Sequence, residues 1–264
     1  MRNLVAAAVF FLAIHFGVSG TPLRVRLVRA MGEKAYRGLF SLASLAGLIW
    51  LIKAYGDAPR VELWGQLLAL KPIAAPLVLL AFLFVVIGLT TPSPTVAGGE
   101  RQLTRDAPAR GIVRITRHPF LWGVALWALV HLVINGDLTS VILFGSLLVL
   151  AVAGTALIDR KRRDAFGEHW RRFAQSTSNI PFAAIISGRN QLGAALREIG
   201  IVRPLIAVVV YAAAFGWIAA ISLEDPTPFR ITVAVVLFGL ALYECAMAGG
   251  MLYVLIAKRA ELSD

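Results

Sequence analysis

Seven apolar blocks alternate with polar, basic segments, over roughly residues 3–19, 39–55, 72–90, 119–134, 138–158, 203–221 and 231–256. Each approaches the ~20 residues that a helix needs to cross the hydrocarbon of a bilayer. Apolar and polar residues do not alternate within the blocks, as they would in the strands of a membrane barrel. The pattern therefore predicts an all-α polytopic membrane bundle of about seven transmembrane helices. "INGD" (134–137) predicts a tight turn between the fourth and fifth spans, because Asn-Gly favours positive backbone angles. "TTPSPTVAGGE" (90–100) ends the third span and opens an irregular loop. The polar stretch 159–200 begins with helical spacing, with Phe166, Trp170 and Phe173 on one stripe among Arg and Lys. That pattern reads either as an amphipathic segment facing lipid headgroups or as a solvated charged helix end.

Composition sharpens the picture. The chain has 264 residues, 58% of them hydrophobic and 16% charged, with net charge +11. In a soluble protein that excess would point to nucleic acid; here the basic residues lie between apolar blocks and set topology, so no nucleic-acid partner is expected. With the N-terminus outside, the inner segments and the C-terminal tail carry 21 of the 26 Lys and Arg. The bias predicts an N-out, C-in orientation. "VSG" (18–20) resembles a signal cleavage site, but cleavage there would leave Arg24, Arg26 and Arg29 outside, so an uncleaved first span is expected. The single Cys245 allows no internal disulfide and no Cys-rich metal site.

Candidate chemistry rests on four histidines. His169 lies in the basic segment and reads as solvated. His15, His118 and His131 lie in spans or at their ends, where an unpartnered polar ring costs a few kcal/mol. An intramembrane ionisable group is by default a functional candidate. His131 shares a helical face with Phe120, Val124, Trp127 and Asn135, and His15 shares one with Phe11, Leu12 and Ser19. An imidazole amid aromatic bulk suits a flat apolar cofactor such as haem, for which His is a common axial ligand. His118 precedes Pro119, which favours the first helical position. It should sit at a helix start beside Arg114 and Arg117, a cluster suited to a phosphate or a haem propionate. The bland alternative is a histidine that merely hydrogen-bonds within or across helices. Spacing leaves the pairing open: His15 with His131 needs displaced helices, whereas His15 with His118 fits depth better.

Three separated stretches resemble the NnrU family: "HFGVSGTPLRVRLVRAMGEKAYRGLFSLASLAGLIWLIKAY" (15–55), "RITRHPFLWGVALWALVHLVINGD" (114–137) and "DRKRRDAFGEHWRRFAQSTSNIPF" (159–182). The resemblance covers residues 3–186, a membrane domain of five spans plus the basic segment, with 203–256 as two additional C-terminal spans. It implies an integral protein of the bacterial inner membrane linked to nitrite and nitric oxide metabolism. The plant 15-cis-zeta-carotene isomerase is similar, which implies polyene cis–trans isomerisation with haem b as the alternative. Carried over, the family histidines fall on His15, His118 and His131; His15 and His131 become haem-iron ligands, with His118 the alternate. Arg114 and Arg117 become propionate anchors. Where the isomerase has another His, this chain reads "LIKAYGD" (51–57). The implied partners are the lipid bilayer and a hydrophobic or nitrogen-oxide ligand. "RHPFLWG", "FGEHWRRF" and "IPF" also resemble S-adenosylmethionine-dependent membrane methyltransferases, but in place of their paired carboxylates Asp159 is followed by Arg160. An accessory membrane factor without cofactor completes the alternatives.

Overall fold

The computed structural model describes residues 1–96, 98–104 and 109–224, with side chains to residue 214. The chain forms two compact units, Met1–Val208 and Val209–Asp264. The described residues are helical and loop, without a strand; the one trace of pairing is an isolated bridge between Glu62 and Asp137.

The apolar blocks become helices because runs of Leu, Ile, Val, Ala and Phe satisfy their own backbone within a helix. The described helices are α1 (Arg2–Ala13), α2 (Leu23–Met31), α3 (Glu33–Asp57), α4 (Lys71–Thr90), α5 (Pro119–Asn135), α6 (Leu138–Ser176), α7 (Ala183–Ile186), α8 (Leu192–Ile199) and α9 (Val202–Glu224), of which α2, α7 and α8 lie in the segments between the apolar blocks. A π-helical turn, Ile14–Ser19, extends α1. Among the described residues four helices are long and apolar enough to cross a membrane: Arg2–Ser19, Glu33–Asp57, Leu68–Thr90 and Leu138–Ser176. The expected fourth span is α5, 17 residues, an apolar helix shorter than those four. The 231–256 block, with Cys245, lies outside the described residues.

The "INGD" expectation is met in detail. Gly136 closes α5 in the left-handed region (φ 65°), and Asp137 caps α6 by accepting from the Ser140 N–H at 2.8 Å. The segment before α4 folds over this turn, so that Leu63, Trp64 and Gly65 N–H all point at the Gly136 carbonyl (2.9, 3.1 and 3.2 Å). Burial pushes the Asp137 carboxyl up, but hydrogen bonds from Thr139 and Ser140 outweigh it and hold the group below the usual range. At the other end of α5, the helix approaches α4 closely: a Cβ on Gly123 would meet the Ala81 carbonyl at 2.8 Å. Small residues at such contacts let membrane helices approach.

α6 is bent at Gly167 (φ 46°, ψ −111°). Beyond the bend, Trp170 and Phe173 are buried against Leu103, Ala109 and Val113. The apolar stripe therefore faces the protein's own loop rather than lipid, while Glu168, Arg171 and Arg172 are exposed on the other side.

Gly136 tolerates no side chain: a Cβ would lie 1.9 Å from the Gly65 carbonyl oxygen, and the φ is unfavourable for other residues. Gly136→Ala should destabilise the protein by about 2–4 kcal/mol, read as a fall in thermal midpoint in detergent, whereas Gly145→Ala, with its nearest contact at 3.7 Å, should change it little.

Candidate functional site

Asp159 is the hub of the densest buried polar cluster. It lies 21 residues into α6, roughly 32 Å of helix rise, which brings it to the far edge of a bilayer's hydrocarbon. Its Oδ1 takes a bond of 2.6 Å from His118 Nε2, and its Oδ2 accepts from Arg117 Nη2 at 2.7 Å. Asn179 Nδ2 reaches Oδ2 at 3.4 Å and Thr155 Oγ1 at 3.0 Å. Arg117 spends its other Nη on the Thr177 carbonyl at 3.2 Å and lies over the Trp170 ring, 5.6 Å from its centre. Trp122 Nε1 donates to the Asn179 carbonyl at 2.8 Å. Thr116 donates to that carbonyl as well (2.5 Å), and Thr95 donates to the Arg117 carbonyl (2.5 Å).

The sequence builds this cluster locally. Pro119 starts α5, leaving His118 as its cap with extended φ (−124°), so His118 and Arg117 project from a turn rather than a helix face. The "SNIPF" segment runs antiparallel beside that turn: Arg117 N–H donates to the Ser178 carbonyl and Phe182 N–H to the Ile115 carbonyl, both at 2.9 Å. Burial pushes the His118 imidazole down from its ordinary value; Asp159 pulls it back up, and Arg117 and Arg162 push it down again. The ring is neutral at pH 7 and donates its Nε2 proton to Asp159.

Arg114 belongs to a second pair. Its Nε and Nη2 grip both Glu198 oxygens (2.9 and 2.8 Å), and Glu198 also takes the Gly111 N–H at 2.6 Å. Arg114 first, and Gly111 with it, bring the Glu198 carboxyl down to about 2. The pair fastens α8 onto the Gly111–Arg114 turn, with Ala195 and Ile199 packed on Ile112 and Ile115.

His15 and His131 follow one design. Each Nδ1 is bonded to the carbonyl four residues earlier: Phe11 at 2.7 Å for His15, Trp127 at 2.8 Å for His131. As donors these Nδ1–H groups fix each ring and leave Nε2 as a free lone pair. His15 lies against Phe11 and Phe40, with ring centres at 4.6 and 5.4 Å. His131 lies against Trp127 and Phe144, at 4.6 and 5.1 Å. The aromatic surroundings expected of both rings are present.

The expected ligand pair is not assembled. His15 touches Phe40, while Tyr55 and His131 both touch Phe144. Phe40 and Tyr55 are fifteen residues apart on α3, about 22 Å of helix rise, so the two imidazoles stand at different levels of the bundle. Ligand nitrogens lie about 2 Å from a metal, so His15 and His131 of one chain do not hold one haem iron. His118, the alternate ligand, has its Nε2 committed to Asp159 and is 3% exposed. Arg114 and Arg117 are spent on Glu198 and Asp159, not held ready for propionates. Among the described residues no group of three His, Cys, Asp or Glu could hold a metal ion. Asp159, Asn179 and Glu198 were missed in the sequence. The signal available was a lone acid in "IDRKRR", which needs a buried cationic partner if it lies at a membrane edge.

The family model described as NnrU protein matches residues 3–224, past the 186 reached by the sequence motifs and through α9. The chloroplastic 15-cis-zeta-carotene isomerase of Zea mays is 30% identical over 190 residues, covering 70% of this chain and 50% of the plant protein. That of Arabidopsis thaliana is 29% identical over 188 residues, covering 69% and 50%. The chain thus spans about half the length of these curated relatives. No solved structure matches it.

Because His118 is held neutral when folded but titrates near 6.5 when unfolded, its contribution to stability is complete above that value and is lost as pH falls below it. The thermal midpoint should therefore drop between about pH 7.5 and about pH 5.5, and drop less steeply in His118→Gln. Asp159→Asn, which strands Arg117 in the protein, should cost about 3–5 kcal/mol in a denaturation assay.

Proposed function

The chain belongs to the NnrU family, and from that membership we propose that it is a membrane-embedded isomerase of cis double bonds in an extended apolar polyene. The observation that carries this reading is the likeness to the maize and Arabidopsis isomerases over about 70% of the chain. It is preferred to the nitrite and nitric oxide expectation because that reading has no counterpart among these relatives, and to methylation because Asp159 stands without a second carboxylate.

Cis–trans isomerisation adds and removes no atoms or net electrons. The protein must hold a long hydrocarbon and lower the barrier to rotation about one bond. Rotation about one double bond passes through a polarised state in which the polyene's own electrons shift toward one end, and aromatic faces stabilise the positive end. The His15–Phe11–Phe40 and His131–Trp127–Phe144 clusters offer such faces, each with a fixed imidazole presenting a basic Nε2. Their different levels along the bundle suit a substrate lying parallel to the lipid chains. A haem shared by His15 and His131 does not fit this spacing, so the roles proposed are those of the side chains themselves. The accompanying topology is seven spans, N-out and C-in, in a bacterial inner membrane; it is supported by the concentration of Lys and Arg on one side.

The test is conversion of 15-cis-zeta-carotene by the purified protein in liposomes in the dark, read by chromatography. Conversion is expected, with His15→Ala or His131→Ala slowing it by roughly a hundredfold while the protein stays folded. Absence of conversion by folded wild-type protein overturns the reading.

A further inference from the structure

The inner ends of α1, α3 and α6 gather more cations than carboxylates. Arg24 pairs with Glu33 at 2.7 Å, but Glu33 is shared with Arg37 at 2.8 Å. Arg162 pairs with Glu100 at 2.7 Å. Lys161, between them, has no carboxylate partner among the described residues. Its ammonium donates to the Ser19 carbonyl and to Ser19 Oγ, the latter at 3.1 Å. Arg24 and Arg162 lie close enough to repel its charge. The side chain is half-buried, so water does not fully replace the missing counter-charge. Beside it Tyr36 is 6% exposed; its buried hydroxyl lacks a hydrogen-bond partner, lies close to Ser19 and has Arg24 over the ring at 5.4 Å.

These groups share a level. Lys161 is 23 residues into α6, about 34 Å of rise, past the hydrocarbon and among phosphates. An ammonium, two guanidinium groups and a phenol hydroxyl near Ser19 offer more donors than the local acceptors use. The ligand they complement is a compact anion with several acceptor oxygens. Carboxylates in reach already have partners, and the level selects a phosphodiester carried by the membrane itself.

We propose that Lys161, flanked by Arg24 and Arg162 and faced by the Tyr36 hydroxyl, binds the headgroup phosphate of an anionic phospholipid. The bound lipid would reinforce the link between the π-helical turn after α1 and the basic part of α6, which the Lys161–Ser19 hydrogen bonds make. The site is independent of the isomerase reading and stands or falls separately.

Native mass spectrometry of the full chain in detergent, titrated with phosphatidylglycerol and with phosphatidylcholine, tests it. Phosphatidylglycerol should be retained more tightly, and Lys161→Gln should weaken its binding about fivefold while leaving phosphatidylcholine unchanged. Lys161→Arg should retain binding. Tyr36→Phe, which removes one hydroxyl and leaves the packing, should weaken it about twofold and serves if the lysine variant misfolds. Equal retention of both lipids, or unchanged retention in both Lys161→Gln and Tyr36→Phe, overturns the proposal. So does complete displacement of the lipid by millimolar inorganic phosphate, which would identify a free-phosphate site.

Discussion

One buried carboxylate, Asp159, organises one end of this bundle. It stands where α6 leaves the hydrocarbon, in a segment otherwise rich in Arg and Lys. An ionised acid there is tolerated only if its charge and lone pairs are met. Arg117, His118 and Asn179 meet them, and each comes from a different stretch of chain than α6's apolar half. Satisfying Asp159 therefore fixes three things at once: the start of α5, the path of the 177–182 segment, and the position of Trp170 under the Arg117 guanidinium. Arg114 and Glu198 extend the same clamp to α8. The arginines and the histidine that resembled a ligand-binding cluster are the parts of this clamp.

The two remaining histidines show how one local device serves two places. Bonding Nδ1 to the carbonyl one turn back needs no partner helix. It sets the tautomer, removes the cost of an unpaired N–H in an apolar setting, and leaves Nε2 facing aromatic rings. For His15 the device sits at a π-helical turn, a feature often found at functional positions. Histidine pairs in membrane proteins invite the idea of one metal. Here the two rings meet their aromatic partners at different levels of α3, which makes them two sites rather than one.

Long-range order in the structure is otherwise built by close approach and capping. Gly88 and Gly123 let α4 and α5 come together where any Cβ would strike the partner backbone. Gly136 and Asp137 turn the chain between α5 and α6, and the Gly136 carbonyl and Leu138 N–H are taken up by the segment before α4. The basic half of α6 stays attached because its bend at Gly167 delivers Trp170 and Phe173 to the loop cluster around Leu103 and Val113.

Much was legible in the residues alone. The apolar blocks, the turn at 134–137, the cap at His118 and the aromatic neighbours of His15 and His131 all follow from period and local chemistry, which act within a few residues. So does the family, because three motifs recur in order. What the sequence could not fix was which charges meet: whether Arg117 faces a ligand or Asp159, whether Arg114 is free or held by Glu198 eighty-four residues on. Nor could it fix the depth at which His15 and His131 stand relative to each other. Those outcomes depend on how helices slide and rotate against one another, and that is set by packing between distant segments, for which a single chain read in order carries no distance.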